Sequence, residues 1–173
     1  MEISFEQAVL DPESRQSFTD SIDLGELVKY VRDVVYIPHF NERRLSKNRI
    51  MSTKPGRLQR LLKIKGQRSD ILVFPLSFKA ITTYNDFLSV LIDHEGFHAQ
   101  DFFNNPKLCS SNYGFIEEDT KKSVMEIRAL QNQLRKYGLG KRELSPTMLN
   151  FIRSRLEYHH SRIEGNLALI MEY

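Results

Sequence analysis

The pentapeptide His94-Glu95-Gly96-Phe97-His98 sets two imidazoles four residues apart with a carboxylate between them. On an α-helix, residues at i and i+4 lie one turn apart on the same face, with Cβ atoms roughly 5–6 Å from each other. Imidazoles so placed converge on one divalent ion at about 2.0–2.1 Å per nitrogen. Glu95 points about 100° around the helix, where it can take a proton from a metal-bound water rather than join the ion's inner ligands. With five His and thirteen Glu in 173 residues, chance yields this pattern roughly 0.01 times per chain. Two His and a Glu on an apolar helix face, without a metal, cost a few kcal/mol each unless every one is paired. The chemistry implied is metal-assisted hydrolysis.

A catalytic zinc needs a third protein ligand and an open position for water. His39 precedes the motif, and His159 and His160 come after it. Among the carboxylates Glu126 is best placed, sharing one face of a separate predicted helix with Ala129, Leu130 and Gln133. Its competing partner is Lys122 at i−4, whereas Glu117 and Glu118 read as acids that favour the start of that helix. Asp101, one turn beyond His98, is in reach of a ligand histidine's second ring nitrogen, and reads equally as a solvent-facing acid. Tyr158, His159 and His160 are candidates for stabilising an oxyanion, with Tyr113 and Tyr137 behind them. The single cysteine, Cys109, can form neither an internal disulfide nor a thiolate zinc cage, and reads as a small packing residue rather than an inhibitory thiolate.

These residues depend on three predicted helices. The motif helix begins near Thr83, an N-cap with Asp86 three residues on, and ends at about Phe103 before Asn104-Asn105-Pro106. The next runs from about Asp119 to Tyr137 with Val124, Ile127, Leu130 and Leu134 on its apolar face and Gly138 as a left-handed cap. The last opens with Ser145 and Pro146 and carries Leu149, Ile152, Leu156, Ile163, Leu167 and Ile170 as a stripe to about residue 172. Upstream, Leu24 to Tyr36 reads as a helix capped by Asp23, and Arg57 to Lys65 as helix or strand. Ile71-Leu72-Val73-Phe74 reads as a strand, with Pro75 pointing to a sheet edge. Gly96 inside the motif helix costs up to about 1 kcal/mol against Ala and is tolerable where something packs closely. The sum is an α+β domain, mostly helical, with a small sheet beside the motif helix; it spans 1–173, with a core over about 57–137.

Composition sets the class. Hydrophobic residues make up 40% and charged residues 27%, which excludes disorder and fibrous folds. No apolar run approaches the ~18 residues of a membrane span, and the first residues lack the basic and apolar regions of a secretory signal. The expectation is a soluble cytoplasmic protein with no membrane partner. The net charge of +3 is unevenly spread: from Arg43 to Arg68 lie ten Lys and Arg and no acid. That run can attract phosphates, but it holds no aromatic residue to stack bases and reads first as a solvated basic face.

The motif His94-Glu95-x-x-His98, followed by a helix carrying Glu126-Ile127-Arg128-Ala129, resembles the gluzincin branch of the zincin-like metallopeptidases, nearest to its small single-domain members. The resemblance covers roughly residues 71–134. It implies a zincin-like fold and a zinc cofactor held by His94, His98 and Glu126, with Glu95 as general base. It also implies an extended peptide pairing with an edge strand in the Ile71 to Phe78 region. The expected function is a zinc-dependent metallopeptidase, a hydrolase acting on a protein or peptide substrate. Two alternatives stand beside it: a catalytically inactive zinc-binding interaction module, and a nucleic-acid-associated protein working through the basic segment 43–68.

Overall fold

Four phenylalanines that are distant in sequence, Phe5, Phe18, Phe78 and Phe87, meet with ring centroids 5.3–6.2 Å apart and anchor the core. The computed structural model describes residues 3–38, 50–109 and 115–171, and the backbone alone at 57–58, 115–116 and 169–171. Phe5 and Phe18 come from α1 (Phe5–Leu10) and α2 (Arg15–Asp20), two short helices that hydrophobic periodicity alone does not reveal. The local signal for α1 is its capping box: Ser4 Oγ accepts from the Gln7 N–H, and the Gln7 side chain accepts from the Ser4 N–H.

Buried Arg15 locks this corner. It donates to the carbonyls of Ala8 (2.9 Å) and Val9 (3.2 Å) at the end of α1 and to the Tyr36 hydroxyl (3.2 Å), with its guanidinium over the Phe78 ring. Replacing Arg15 with Ala leaves those carbonyls without a donor and is expected to cost about 2–3 kcal/mol. A urea midpoint unchanged from wild type would refute this.

The predicted helix over 24–36 is instead a 3-10 turn, Gly25–Lys29, followed by β1 (Val31–Tyr36). Asp23 is not the N-cap of the turn, a position Leu24 holds without a side-chain bond; Asp23 accepts the Gly25 N–H at 2.8 Å, and Gly25 sits at φ 52°, where no α-helix continues. Val31, Val34, Val35 and Tyr36 are stiff or aromatic side chains that suit a pleated surface. A partner strand then decides between the two structures. After β2 (Met51–Lys54) and α3 (Arg57–Leu62) comes β3 (Ser69–Val73), which pairs parallel with β1 and antiparallel with β2. The strand order is β1-β3-β2. β3 is therefore central, and Pro75 lies beyond its end. The segment expected at a sheet edge, Ile71 to Phe78, instead starts in the central strand; among the described residues the edge beside the motif helix belongs to β2.

The chain continues through α4 (Ser77–Ala80) into α5 (Tyr84–Leu88), which Thr83 caps by accepting the Asp86 N–H at 3.0 Å. The Asp86 carboxylate does not close the box; it accepts the Ser145 N–H and ties in the last helix. From Ser89 to Glu95 the helix widens to a π-helix, then returns to α-geometry as α6 (Gly96–Asn104). The close packing that Gly96 requires is present: a Cβ there would stand 2.4 Å from Leu27 Cδ1.

The next helix, α7 (Phe115–Gly138), packs along the π segment and also along α8 (Pro146–Met171). Having two neighbours explains why its buried set includes Met125, Ala129 and Gln133 as well as Ile127 and Leu130, while Val124 is 43% exposed. Gly138 remains helical and Gly140 takes the left-handed position at φ 66°. The Gly140 N–H donates to Tyr137 O and the Lys141 N–H to Lys136 O, the Schellman pattern. Ser145 caps α8 through the Met148 N–H. Of the apolar stripe of α8, Ile152 is buried, beside Met148, which the stripe left out, but Leu167 is exposed, where the contacts to α7 become polar. The architecture is α+β, mostly helical with a small mixed sheet, and among the described residues no helix is long and apolar enough to cross a membrane.

Candidate metal centre

The motif helix, α7, α8 and β2 enclose an open cleft of about 960 Å³. At its floor the ligand atoms of His94, His98 and Glu126 all lie within 4.8 Å of one another. His94 Nε2 is 3.3 Å from Glu126 Oε2, and His98 Nε2 is 3.5 Å from Glu126 Oε1. Ligand atoms bound tetrahedrally at about 2.0–2.1 Å stand roughly 3.3 Å apart, so the spacing suits a single ion. Among the described residues, neither ring nitrogen of buried His98 makes a well-formed hydrogen bond; Nε2 has only the 3.5 Å approach of Glu126 Oε1. Such an orphaned imidazole is costly in a folded core unless a further partner uses it, and a metal ion is one that an imidazole lone pair fits.

Glu126 owes its direction to α7. Lys122, its sequence-level competitor, pairs with Glu118 at 2.6 Å and leaves Glu126 facing the histidines. Burial alone would raise the Glu126 pKa, yet the close approach and charges of His94 and His98 hold it below the usual carboxylate range. For His94, burial acts to lower the pKa, but Glu126 and Glu95 outweigh it and the result is raised.

The surroundings orient the ligands. Gln133 Oε1 sits 3.1 Å from His94 Nδ1, and its amide nitrogen donates to Ser89 Oγ at 2.9 Å. An Nδ1–H donates to that amide oxygen, and in the neutral ring this leaves the Nε2 lone pair aimed at the ligand group. Asn132 of α7 donates to Asp93 O at 2.7 Å, and Arg142, just past α7, pairs with the buried Asp93 carboxylate at 2.9 Å; both fasten the π segment in place. π-turns inserted in α-helices often mark functional sites, and this one carries His94 and Glu95.

Glu95 is buried and held by the edge strand. Its Oε2 accepts from the Thr53 N–H at 2.6 Å and lies 2.7 Å from the Thr53 hydroxyl. Thr53 was not legible as a site residue, since the four residues of β2 carry no strand pattern and sit within a basic run. The other sequence candidates separate. Asp101 is not the partner of a ligand histidine: it forms a two-pronged ion pair with Arg128 of α7 at 2.9 and 3.0 Å. His160 is exposed and is not among the residues that line the cleft. Tyr158 lines the cleft, but its hydroxyl accepts from Arg162 at 2.6 Å.

His159 lines the cleft and is buried. Its Nε2 lies 3.1 Å from Arg155 Nη2 and its Nδ1 3.3 Å from Ser123 Oγ. A guanidinium only donates, so Nε2 must be the acceptor and the ring is neutral with its proton on Nδ1. Burial, aided by the charges of Arg155, Arg162 and His94, lowers its pKa against the pull of Glu126. His159 therefore has no Nε2 proton to offer an oxyanion. Cys109 also lines the cleft; burial pushes its thiol up to about 11 despite Lys63, Lys121 and Arg60, so it remains a neutral thiol at neutral pH. Tyr137 is 42% exposed and does not line the cleft. His39, Tyr113, Arg43, Arg44, Lys47 and Arg49 lie outside the described residues.

No family model, curated protein or solved structure matches this chain.

Proposed function

We propose that the chain is a zinc-dependent metallopeptidase with a zincin-like domain. The observation that carries this reading is the joint placement of His94, His98 and Glu126, with their ligand atoms within 4.8 Å, beside Glu95 in one open cleft. The donor set of two imidazoles and one carboxylate, leaving room for a fourth position, is that of a catalytic rather than a closed structural zinc site. When bound, the ion supplies Lewis acidity, polarising the scissile carbonyl and lowering the pKa of water.

The remaining work falls to the chain. Glu95 accepts a proton from the attacking water and passes one to the leaving amine. Thr53 holds the Glu95 carboxylate through its N–H, and its hydroxyl, whose one proton serves either that oxygen or the Glu95 carbonyl, braces the rotamer against the cleft wall. Because the Thr53 N–H points to Glu95 and not to β3, this side of β2 faces the cleft, where an extended peptide can lie along the strand. Gln133 keeps His94 in the tautomer that presents Nε2.

The test is elemental analysis of the purified chain after zinc addition and dialysis, followed by incubation with a mixed peptide library. About one equivalent of zinc and new peptide termini that vanish with chelator are expected. Absence of stoichiometric metal would end this reading.

A further inference from the structure

The cationic side chains of the cleft differ in what they face. Lys122 pairs with Glu118, and Arg162 pairs with Asp119, so these charges are compensated. Lys121 donates to the Lys107 carbonyl. Arg155, partly buried in the cleft wall, has no carboxylate in contact among the described residues. Its guanidinium lies 4.9 Å over the Tyr158 ring, and one Nη2–H is given to His159 Nε2. That bond uses one of five N–H donors and fixes the plane of the group.

The position is close to the candidate metal centre. Arg155 and His159 are one turn apart on α8; His159 touches Ser123 on α7, and Ser123 is one turn before Glu126. His159 is near enough to feel the charges of both Glu126 and His94. A peptide spans about 3.3–3.6 Å per extended residue, so a side chain one or two residues from a bond held at the centre reaches this wall.

Resting on the peptidase reading, we propose that Arg155 forms a carboxylate subsite beside the metal centre, selecting peptides with an acidic side chain or a free C-terminal carboxylate near the scissile bond. A stacked guanidinium with spare N–H groups and no acidic partner among the described residues is built to take a carboxylate in paired hydrogen bonds. The stack on Tyr158 and the acceptor at His159 hold it in place before a ligand arrives, which lowers the ordering cost of binding.

The experiment uses the full chain carrying Glu95→Gln, with one equivalent of zinc, and three fluorescent heptapeptides read by anisotropy. One has a central Glu and an amidated end, one has neutral side chains and a free C-terminal carboxylate, and one is neutral and amidated. At least one carboxylate peptide is expected to bind about tenfold or more tighter than the neutral amide, and which one does identifies the source. Adding Arg155→Gln should bring that ratio to about one, and Arg155→Glu should favour a peptide with a central Lys. The charge reversal separates recognition from a purely structural role, and circular dichroism checks the fold of each variant.

Equal affinity for all three peptides, or no binding of any, would overturn the proposal. So would a carboxylate preference that survives Arg155→Gln, which would place the carboxylate on the metal instead. Turnover by the chain with Glu95 intact is a separate readout. Hydrolysis without carboxylate preference defeats the subsite alone, and Arg155-dependent binding without hydrolysis defeats the peptidase reading alone.

Discussion

The Glu95→Gln variant is expected to bind zinc within about twofold of wild type and to lose roughly 10²–10⁴-fold in peptide hydrolysis, the range of a positioned general base. The substitution is informative because of Thr53. Glu95 Oε2 receives the Thr53 N–H at 2.6 Å and lies 2.7 Å from its hydroxyl, and a Gln carbonyl can keep both contacts while losing basicity. Glu95→Ala would instead strip the partner from the Thr53 N–H and disturb the edge of β2. Parallel measurement of kcat and of zinc content separates the two effects. Wild-type turnover in Glu95→Gln would sink the mechanism, and loss of zinc with activity would make Glu95 a ligand.

His98→Ala is expected to weaken zinc binding by more than a hundredfold, because even the groups that orient a ligand cost about 10–100-fold when removed. Gln133→Ala, which takes away only the partner of His94 Nδ1, should fall inside that lower range. Thermal melting gives an independent readout. At zinc concentrations a hundred times Kd, wild type gains about 2.7 kcal/mol, or roughly 5–10 °C for a chain of this size. The His98→Ala melt should not move with zinc, whatever its metal-free midpoint after the buried ring is removed. Affinity should also fall as pH drops, because each ligand must shed its proton to bind. Full zinc occupancy without His98 would refute the ligand assignment.

The parts of the site that were legible in the sequence are those set by local geometry. His94 and His98 share a face because four residues make about one turn, and Glu126 lies with Ala129 and Gln133 for the same reason along α7. Helix ends marked by Thr83, Ser145-Pro146 and Asn105-Pro106 appear where short-range capping chemistry places them. The features that sequence periodicity misassigns involve partners far along the chain. Val31 to Tyr36 reads as part of a helix until β3, nearly forty residues later in sequence, offers it a parallel partner. Pro75 points to an edge strand, yet β3 ends at Val73 and is covered on both sides. Asp101 reads as available to a histidine until Arg128 of α7 packs beside it.

The amino-acid sequence by itself determined a mostly helical α+β chain and the pairing of two imidazoles on one helix face, because both arise from periodicities of a few residues. Only the tertiary structure decided that Glu126 turns from Lys122 to the histidines, that Thr53 holds Glu95, and that His159 gives its lone pair to Arg155. Each of these is a choice between a near neighbour and a distant one. Such choices turn on burial and on which donor meets which acceptor, quantities that do not exist until separate elements pack.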